Sequence, residues 1–114
     1  MQNCVFCHIV AKEIPARIVY EDEDLSAFHD INPQAPVHIL VIPKKHIPSL
    51  AEIRPEDEGL LGKLLSKTSY IAKIAGVSED GYRVVINTNR DAQQTVFHLH
   101  IHILAGRTFS WPPG

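Results

Sequence analysis

The stretch HLHIHIL at residues 98–104 places a histidine at every second position, with leucine or isoleucine between them. Successive side chains of an extended strand point to opposite faces, so this pattern predicts a strand over residues 97–104. One face would carry His98, His100 and His102. The other face would be apolar and suited to packing against a helix.

Such a histidine face is compatible with several kinds of chemistry. A neutral ring nitrogen can attack phosphorus or a carbonyl group. A ring with a pKa near 6.5 exchanges protons at neutral pH, and a protonated ring stabilises charge on a phosphoryl oxygen. The spacing also fits an all-histidine zinc site or a solvated strand face. It does not indicate a Ser-His-Asp triad, because no serine stands in a nucleophile-elbow sequence.

The rest of the chain predicts one α+β domain over residues 1–114. Apolar residues recur at helical spacing from Leu60 to Ala75, and Gly76 follows as a stop signal, so we expect one long helix there. A capping-box pattern precedes it at Ser49 and Glu52. A short helix is expected near the N-terminus, over residues 5–12.

Strands are predicted where β-branched and apolar residues cluster, at residues 18–20, 25–30, 38–42, 82–88 and 97–104. Short connections favour antiparallel pairing. We therefore expect a five-stranded, meander-like antiparallel sheet with residues 38–42 in a central strand.

Composition and charge exclude several classes of partner. Eleven Lys and Arg against 13 Asp and Glu give a net charge of −2, whereas nucleic-acid binders carry a basic excess. The longest apolar runs have four residues, as at residues 39–42, and a membrane span needs about 20. The N-terminus does not read as a signal peptide. We expect a cytoplasmic protein with no nucleic-acid or membrane partner.

Two cysteines, Cys4 and Cys7, form a Cys-x-x-Cys pair. In a reducing compartment this spacing favours metal or redox chemistry over a structural disulfide. The pair supplies half of the ligands of a tetrahedral zinc site. The alternative is two half-buried thiols on one turn.

The histidine stretch matches the signature of the histidine triad family, His-x-His-x-His-x-x with x apolar. The match continues in FHDINPQAP at residues 28–36, HILVIPKKH at residues 38–46, GYRVVIN at residues 81–87 and WPPG at residues 111–114. The chain thus resembles the Hint branch of this family along nearly its whole length.

This resemblance implies a hydrolase of purine nucleoside phosphoramidates that needs no organic cofactor. It also implies a homodimer whose sheet is extended across the two chains. By the resemblance, His100 attacks the α-phosphorus to form a nucleotidyl-histidine intermediate, and water then releases AMP. His102 would contact the phosphate oxygens, while His98 and His38 would orient the nucleophile. Transferase relatives replace the last triad histidine, so the presence of His102 indicates that water is the acceptor.

The resemblance also implies the remaining contacts to the nucleotide. Asp30 would hold the ribose hydroxyls, for which a carboxylate is a good bidentate acceptor, and Ile31 would line the base pocket. Asn87 and Thr95 match phosphate-contacting positions of the family, and Gln94 lies in the same loop as Thr95. Trp111 of the C-terminal tail is a further expected nucleotide-binding residue. Hint-branch members usually have a glycine pair just before this Gln94, where the chain has Ala92 and Gln93.

In zinc-binding members of the family, two histidines complete the Cys-x-x-Cys pair. Here they are His46 and His98, which implies a closed, structural Cys₂His₂ site with Cys4 and Cys7. Two other functions stay open: a nucleotide- or zinc-binding module that acts through protein partners, and a hydrolase of dinucleoside polyphosphates. No role is predicted for His8 and His29, which we expect at the surface.

Overall fold

A computed structural model of the protein describes residues 3–114. The helices are α1 (Val5–Val10) and α2 (Glu58–Ile74), and α2 is preceded by two 3₁₀ turns, Leu50–Glu52 and Pro55–Asp57. The strands are β1 (Ile18–Glu21), β2 (Leu25–His29), β3 (Val37–Pro43), β4 (Tyr82–Val85) and β5 (Ile101–Ala105). The predicted α+β class, with one long and one short helix, is confirmed.

The five strands form one antiparallel sheet in the order β1-β2-β3-β5-β4. The central position of β3 is confirmed, but the expected meander is wrong in one respect, because β5 lies between β3 and β4. Burial agrees with this order, because Ile101 and Ile103 of the inner strand β5 are completely buried, whereas Val84 of the edge strand β4 is exposed.

The sheet separates two apolar layers, because alternate residues of each strand face opposite sides. On one side, residues of β3 and β5 pack against α2, namely Ile39, Val41, Ile101 and Ile103 with Leu64 and Ile71. On the other side, a smaller cluster joins the sheet to α1, namely Leu40, Ile42 and Phe28 with Phe6 and Ile9. Burying one such side chain contributes about 1.5–3 kcal/mol.

Helix α2 begins later than the capping-box pattern at Ser49 and Glu52 suggests, and Pro55 begins the 3₁₀ turn that leads directly into it. The Ser49 hydroxyl accepts a hydrogen bond from the Ala51 amide at 3.1 Å, so it caps a separate 3₁₀ turn. Ile53 then has an extended backbone, which interrupts the helix. The predicted stop is confirmed, because Gly76 has φ +76° just after the last turn. Within the part of the chain described, no helix is long and apolar enough to cross a membrane.

The last strand is shorter than the predicted residues 97–104. Val41 pairs with Ile101, so an extension of this register would bring Leu99 opposite Pro43. Proline has no N–H to donate to the ladder. The Leu99 amide instead donates to the Ile47 carbonyl at 2.6 Å. The expected alternation of side chains still holds, with Leu99 buried on the α2 side.

Candidate functional site

A cavity of about 460 Å³ lies on the α1 side of the sheet, and four histidines border it: His29, His38, His100 and His102. Apolar side chains form much of the remaining wall, among them Phe6, Ile9, Phe28, Leu40 and Val96. A cavity with apolar walls and a few polar groups at one end is typical of a small-molecule site.

The orientation of His100 leaves one ring nitrogen as a base. Its Nδ1 donates a hydrogen bond to the His98 carbonyl oxygen at 2.8 Å, because a carbonyl can only accept. The proton of the neutral ring is therefore on Nδ1, and Nε2 keeps its lone pair. Burial lowers the pKa of His100, and the Phe6 ring packs against it in a T-shaped arrangement, with the ring centres 5.2 Å apart. His100 is thus held neutral, in a form suited to nucleophilic attack.

The opposite tautomer is set at His38 and His102. The Gln34 amide donates to His38 Nδ1 at 3.0 Å, so His38 carries its proton on Nε2. That Nε2 donates to His102 Nδ1 at 2.9 Å, which places the His102 proton on Nε2 in turn. Within residues 3–114, His102 Nε2 is buried with no hydrogen-bond partner. A buried donor of this kind is suited to an anionic oxygen.

Asp30 stands beside this pair of histidines. One carboxylate oxygen lies 3.4 Å from His38 Nε2, and the other accepts from the Asn32 amide at 2.8 Å. Burial lowers the pKa of His38, and the negative charge of Asp30 offsets part of that shift. The ring is therefore neutral at physiological pH, as it must be for Nδ1 to accept the hydrogen bond from the Gln34 backbone amide.

We predict that stability falls as the pH is lowered from about 6.5 to 4, partly because of His102. Burial, together with the nearby His100 and His38, lowers the pKa of His102 to about 4. The unfolded chain takes up this proton near pH 6.5, so it binds more protons than the folded chain within this window, and the free energy of unfolding rises with pH. A shift of this size corresponds to about 3 kcal/mol, and solvent screening of the partly exposed ring makes its contribution smaller.

Urea unfolding of the wild type and of His102→Gln at several pH values tests this. Between pH 4.5 and 6, the free energy of unfolding of the variant should rise less steeply with pH than that of the wild type, by about 1 kcal/mol per pH unit. Equal slopes in both proteins would show that His102 does not titrate in this way.

A second cluster adjoins the cavity. The Sγ atoms of Cys4 and Cys7 and the Nδ1 atoms of His46 and His98 lie within 4.8 Å of one another. The individual separations are 3.3 and 3.5 Å from His98 Nδ1 to the two sulfurs, 3.3 Å from His46 Nδ1 to Cys7 Sγ, and 3.2 Å between the nitrogens. Zn–S and Zn–N bonds of normal length in a tetrahedron place ligands about 3.3–3.8 Å apart, so this set fits zinc.

The protonation of the cluster agrees with a metal site. His98 Nε2 donates to the Pro43 carbonyl at 2.8 Å, which leaves Nδ1 with its lone pair towards the other donors. Burial lowers the pKa of His98 to about 4 and, with Cys4 nearby, raises that of the Cys7 thiol to about 11. The imidazole is already in its ligand form, and the thiols would release protons when a metal binds.

His98 connects the two clusters. Its ring belongs to the set of possible metal ligands, while its carbonyl oxygen fixes the tautomer of His100. Anything that holds the ring of His98 also holds the acceptor for the His100 proton.

Comparisons with known proteins agree with this geometry. A family model described as the HIT domain matches residues 11–109. The chain belongs to the histidine triad (HIT) family. It is 55% identical over 113 residues to an uncharacterized HIT-like protein of Synechocystis, covering 99% of this chain and 98% of that protein.

Solved HIT structures are also similar. A HIT family hydrolase from Legionella pneumophila is 48% identical with a TM-score of 0.95, covering 98% of this chain and 100% of the other. A zinc-bound histidine triad protein from Mycobacterium smegmatis is 36% identical with a TM-score of 0.77, covering 93% and 76%. The chain is therefore a hydrolase-type HIT protein.

Some of the site residues predicted from sequence line the cavity and others lie outside it. Asp30, Ile31 and Thr95 line the cavity together with the histidines. Asn87 lies outside the cavity, after the end of β4. Trp111 is also outside the cavity, at 80% exposure in the C-terminal tail. Ile31 is fully exposed at the cavity rim.

Gln94 supports the loop before the HIT signature and has no free polar group on its side chain. Its Oε1 accepts from the Asn89 amide at 2.9 Å, and its Nε2 donates to the carbonyls of Pro48 and Val96 at 2.8 and 3.0 Å. Next to it, Gln93 has φ +60°, the region that a glycine adopts without strain. The loop thus keeps a glycine-like backbone although the glycine pair is absent.

Two predictions about surface histidines have different outcomes. His8 pairs with Glu13 at 2.6 Å outside the cavity. His29 is half-buried, as His8 is, but it lies at the end of β2 and lines the cavity, where no role was predicted for it. Its position directly before Asp30 was the available signal. Phe6 also lines the cavity and was not predicted as a site residue, although it lies between the two cysteines in the sequence.

Proposed function

We propose that this HIT protein hydrolyses purine nucleoside phosphoramidates of the adenosine 5′-phosphoramidate type and releases AMP, as the likeness to the Hint branch implies. The observation that carries the proposal is the complementary protonation of two adjacent histidines. His100 offers an unprotonated Nε2, and the His102 ring, centred 5.0 Å away, offers a buried N–H without a partner.

The cavity accounts for binding of the nucleoside. The apolar wall formed by Phe6, Ile9 and Phe28 suits a planar purine base. The Asp30 carboxylate would accept hydrogen bonds from the two ribose hydroxyls, at the end of the cavity where the histidines lie. Thr95 at the rim would donate to a phosphate oxygen. The α-phosphate would then reach His100.

Two displacements complete the reaction. His100 Nε2 attacks the α-phosphorus, and the P–N bond to the amine breaks, with the leaving nitrogen taking a proton from water. The His102 Nε2–H stabilises the negative charge on the phosphoryl oxygens. Water then attacks phosphorus, the bond to His100 Nε2 breaks, and AMP leaves while the proton of the water passes to solvent.

Mass spectrometry of an early-quenched reaction with adenosine 5′-phosphoramidate tests the proposal. We expect one adenylyl group per chain, mapped to His100, and AMP as the product. A parallel reaction with a dinucleoside triphosphate distinguishes the polyphosphate hydrolase. Binding of AMP without turnover of either substrate would support the binding module and contradict the proposed reaction.

We further propose that Cys4, Cys7, His46 and His98 hold a structural zinc ion. The spacing of their donor atoms supports this, as does the description of the Mycobacterium smegmatis relative as zinc-bound. Four protein ligands leave no position for substrate, which is typical of structural zinc. The ion would connect α1 and the segment after β3 to His98.

A homodimer is also proposed, with the C-terminal tail reaching the partner's active site. Val84 on the edge strand β4 and Leu65 and Ile74 on α2 are exposed apolar residues, as is Trp111, and a tryptophan can bury about 150–250 Å². Light scattering should give twice the 12.8 kDa mass of one chain.

Deletion of residues 110–114 should change the preference among amine leaving groups more than it changes the affinity for AMP. Steady-state rates with a series of phosphoramidates, set beside AMP titrations, measure both effects. A fully active monomer at micromolar concentration would contradict the dimer. An unchanged substrate profile after truncation would contradict the role of the tail.

A further inference from the structure

The loop between β2 and β3, residues 30–36, carries two groups that act on the site. Asp30 is at its start, and the Gln34 amide sets the tautomer of His38. Hydrogen bonds within the loop join these residues, from the Asn32 amide to Asp30 Oδ1 at 2.8 Å and from Gln34 Nε2 to the Asn32 carbonyl at 3.0 Å. The position of this loop therefore affects both groups.

Two consecutive residues after β5 contact this loop from outside. Arg107 Nη2 donates to the Gln34 carbonyl at 3.1 Å. Gly106 approaches Pro36 so closely that an added Cβ would lie 2.7 Å from the Pro36 Cβ, and its φ is +95°. The hydrogen bond and the close approach fix the loop against the end of β5.

Arg107 is itself held by the start of the C-terminal tail. Its guanidinium carbon lies 4.3 Å from the centre of the Phe109 ring, and Nη1 donates to the Thr108 carbonyl at 3.2 Å. Arg83 contacts the same ring at 5.2 Å and donates to the Ser110 carbonyl at 2.9 Å. Both arginines contact the Phe109 ring. Of the two, only Arg107 forms a hydrogen bond to the 30–36 loop within the described residues 3–114.

We propose that Arg107 is a positioning residue that fixes the protonation of the histidine pair through Gln34. Both contacts involve the backbone of Gln34. Its carbonyl accepts from Arg107, and its N–H, on the other side of the same α-carbon, donates to His38. A shift of Gln34 therefore moves both groups. Without the contact to Arg107, the Gln34 N–H donates to His38 Nδ1 in only a fraction of the molecules. His38 and His102 then populate the other tautomer, in which His102 Nε2 has no proton to donate.

The effect of Arg107 on turnover rests on the proposed hydrolysis, whereas its effect on the tautomers does not. We therefore compare Arg107→Ala with Arg83→Ala, which removes the same charge and a contact to the same ring but leaves the loop contact intact. For phosphoramidate hydrolysis we expect kcat/KM to fall about tenfold in Arg107→Ala, the size expected for a lost charge-assisted hydrogen bond, and less than about threefold in Arg83→Ala.

Nitrogen-15 NMR of the imidazole rings at pH 7 gives the second readout. The wild type and Arg83→Ala should show His38 and His102 protonated on Nε2. In Arg107→Ala both signals should move towards the average of the two tautomers. Arg107→Lys, which keeps a cationic donor, should restore part of the wild-type spectrum and serves as the test if the alanine variant does not fold.

Wild-type tautomers in Arg107→Ala, or equal effects of the two alanine variants on spectrum and rate, would overturn the proposal. A tautomer change in a protein that does not hydrolyse phosphoramidates would support the role of Arg107 and reject the proposed function instead.

Discussion

Replacement of His100 by alanine should lower the rate of AMP release by a factor of about 10³ or more, while the fold and AMP binding are largely kept. The covalent step needs the His100 Nε2 lone pair, and loss of a nucleophile costs several orders of magnitude in rate. The His102 ring alone does not replace it, because its Nδ1 accepts from His38 and its Nε2 carries the proton. Single-turnover rates with adenosine 5′-phosphoramidate measure the effect.

His8→Ala is the matched control, because it removes a histidine that lies outside the cavity and should leave the rate unchanged. The adenylyl adduct should be absent from His100→Ala and present in the control. Calorimetric titration with AMP should give affinities within a few-fold of wild type for both variants. If His100→Ala turns over within tenfold of wild type, His100 is not the nucleophile.

The side-chain directions of the histidine stretch were predictable because they depend only on local backbone geometry. An extended chain alternates its side chains whether or not it is paired. His98 and His100 therefore face the α1 side although β5 begins at Ile101. The end of the strand was not predictable from these residues, because it depends on Pro43, which an extension of the β3–β5 register would bring opposite Leu99.

The supporting contacts of the site could not be predicted, because they join residues far apart in the chain. Gln94 bonds to Pro48 across 46 positions, and Arg107 bonds to Gln34 across 73. Nothing near either residue in the sequence indicates its partner. The resemblance placed Gln94 near the phosphate, but only the fold shows that its side chain is used to hold the loop.

The metal ligands are an intermediate case. The Cys4–Cys7 spacing is a local signal that indicates half of a site. The choice of His46 and His98 from seven histidines came from the resemblance, because spacing alone does not select them. The structure brings the four donor atoms within 4.8 Å of one another, and four of the six distances between them, at 3.2–3.5 Å, are close to those of a tetrahedral set.

Protein purified without added metal should contain one zinc ion per chain, and the Cys4→Ser, Cys7→Ser double variant should contain none. The variant should also be less stable by about 3 kcal/mol or more, because zinc binding to a structural site adds directly to folding free energy. For a chain of this size, such a loss lowers Tm by about 10 °C or more. Elemental analysis and thermal unfolding measure these effects, and His8→Ala, beside Cys7 but outside the ligand set, is the control.

The double variant should also lower the rate of AMP release, by less than His100→Ala does. The metal would hold the ring of His98, whose carbonyl accepts the His100 proton, so its loss loosens the nucleophile without removing it. Wild-type protein with no zinc and with both thiols open to a thiol reagent would contradict the metal site. Zinc retained in the double variant would locate the metal at the histidine triad instead, because the four-ligand site would then have lost both sulfur donors.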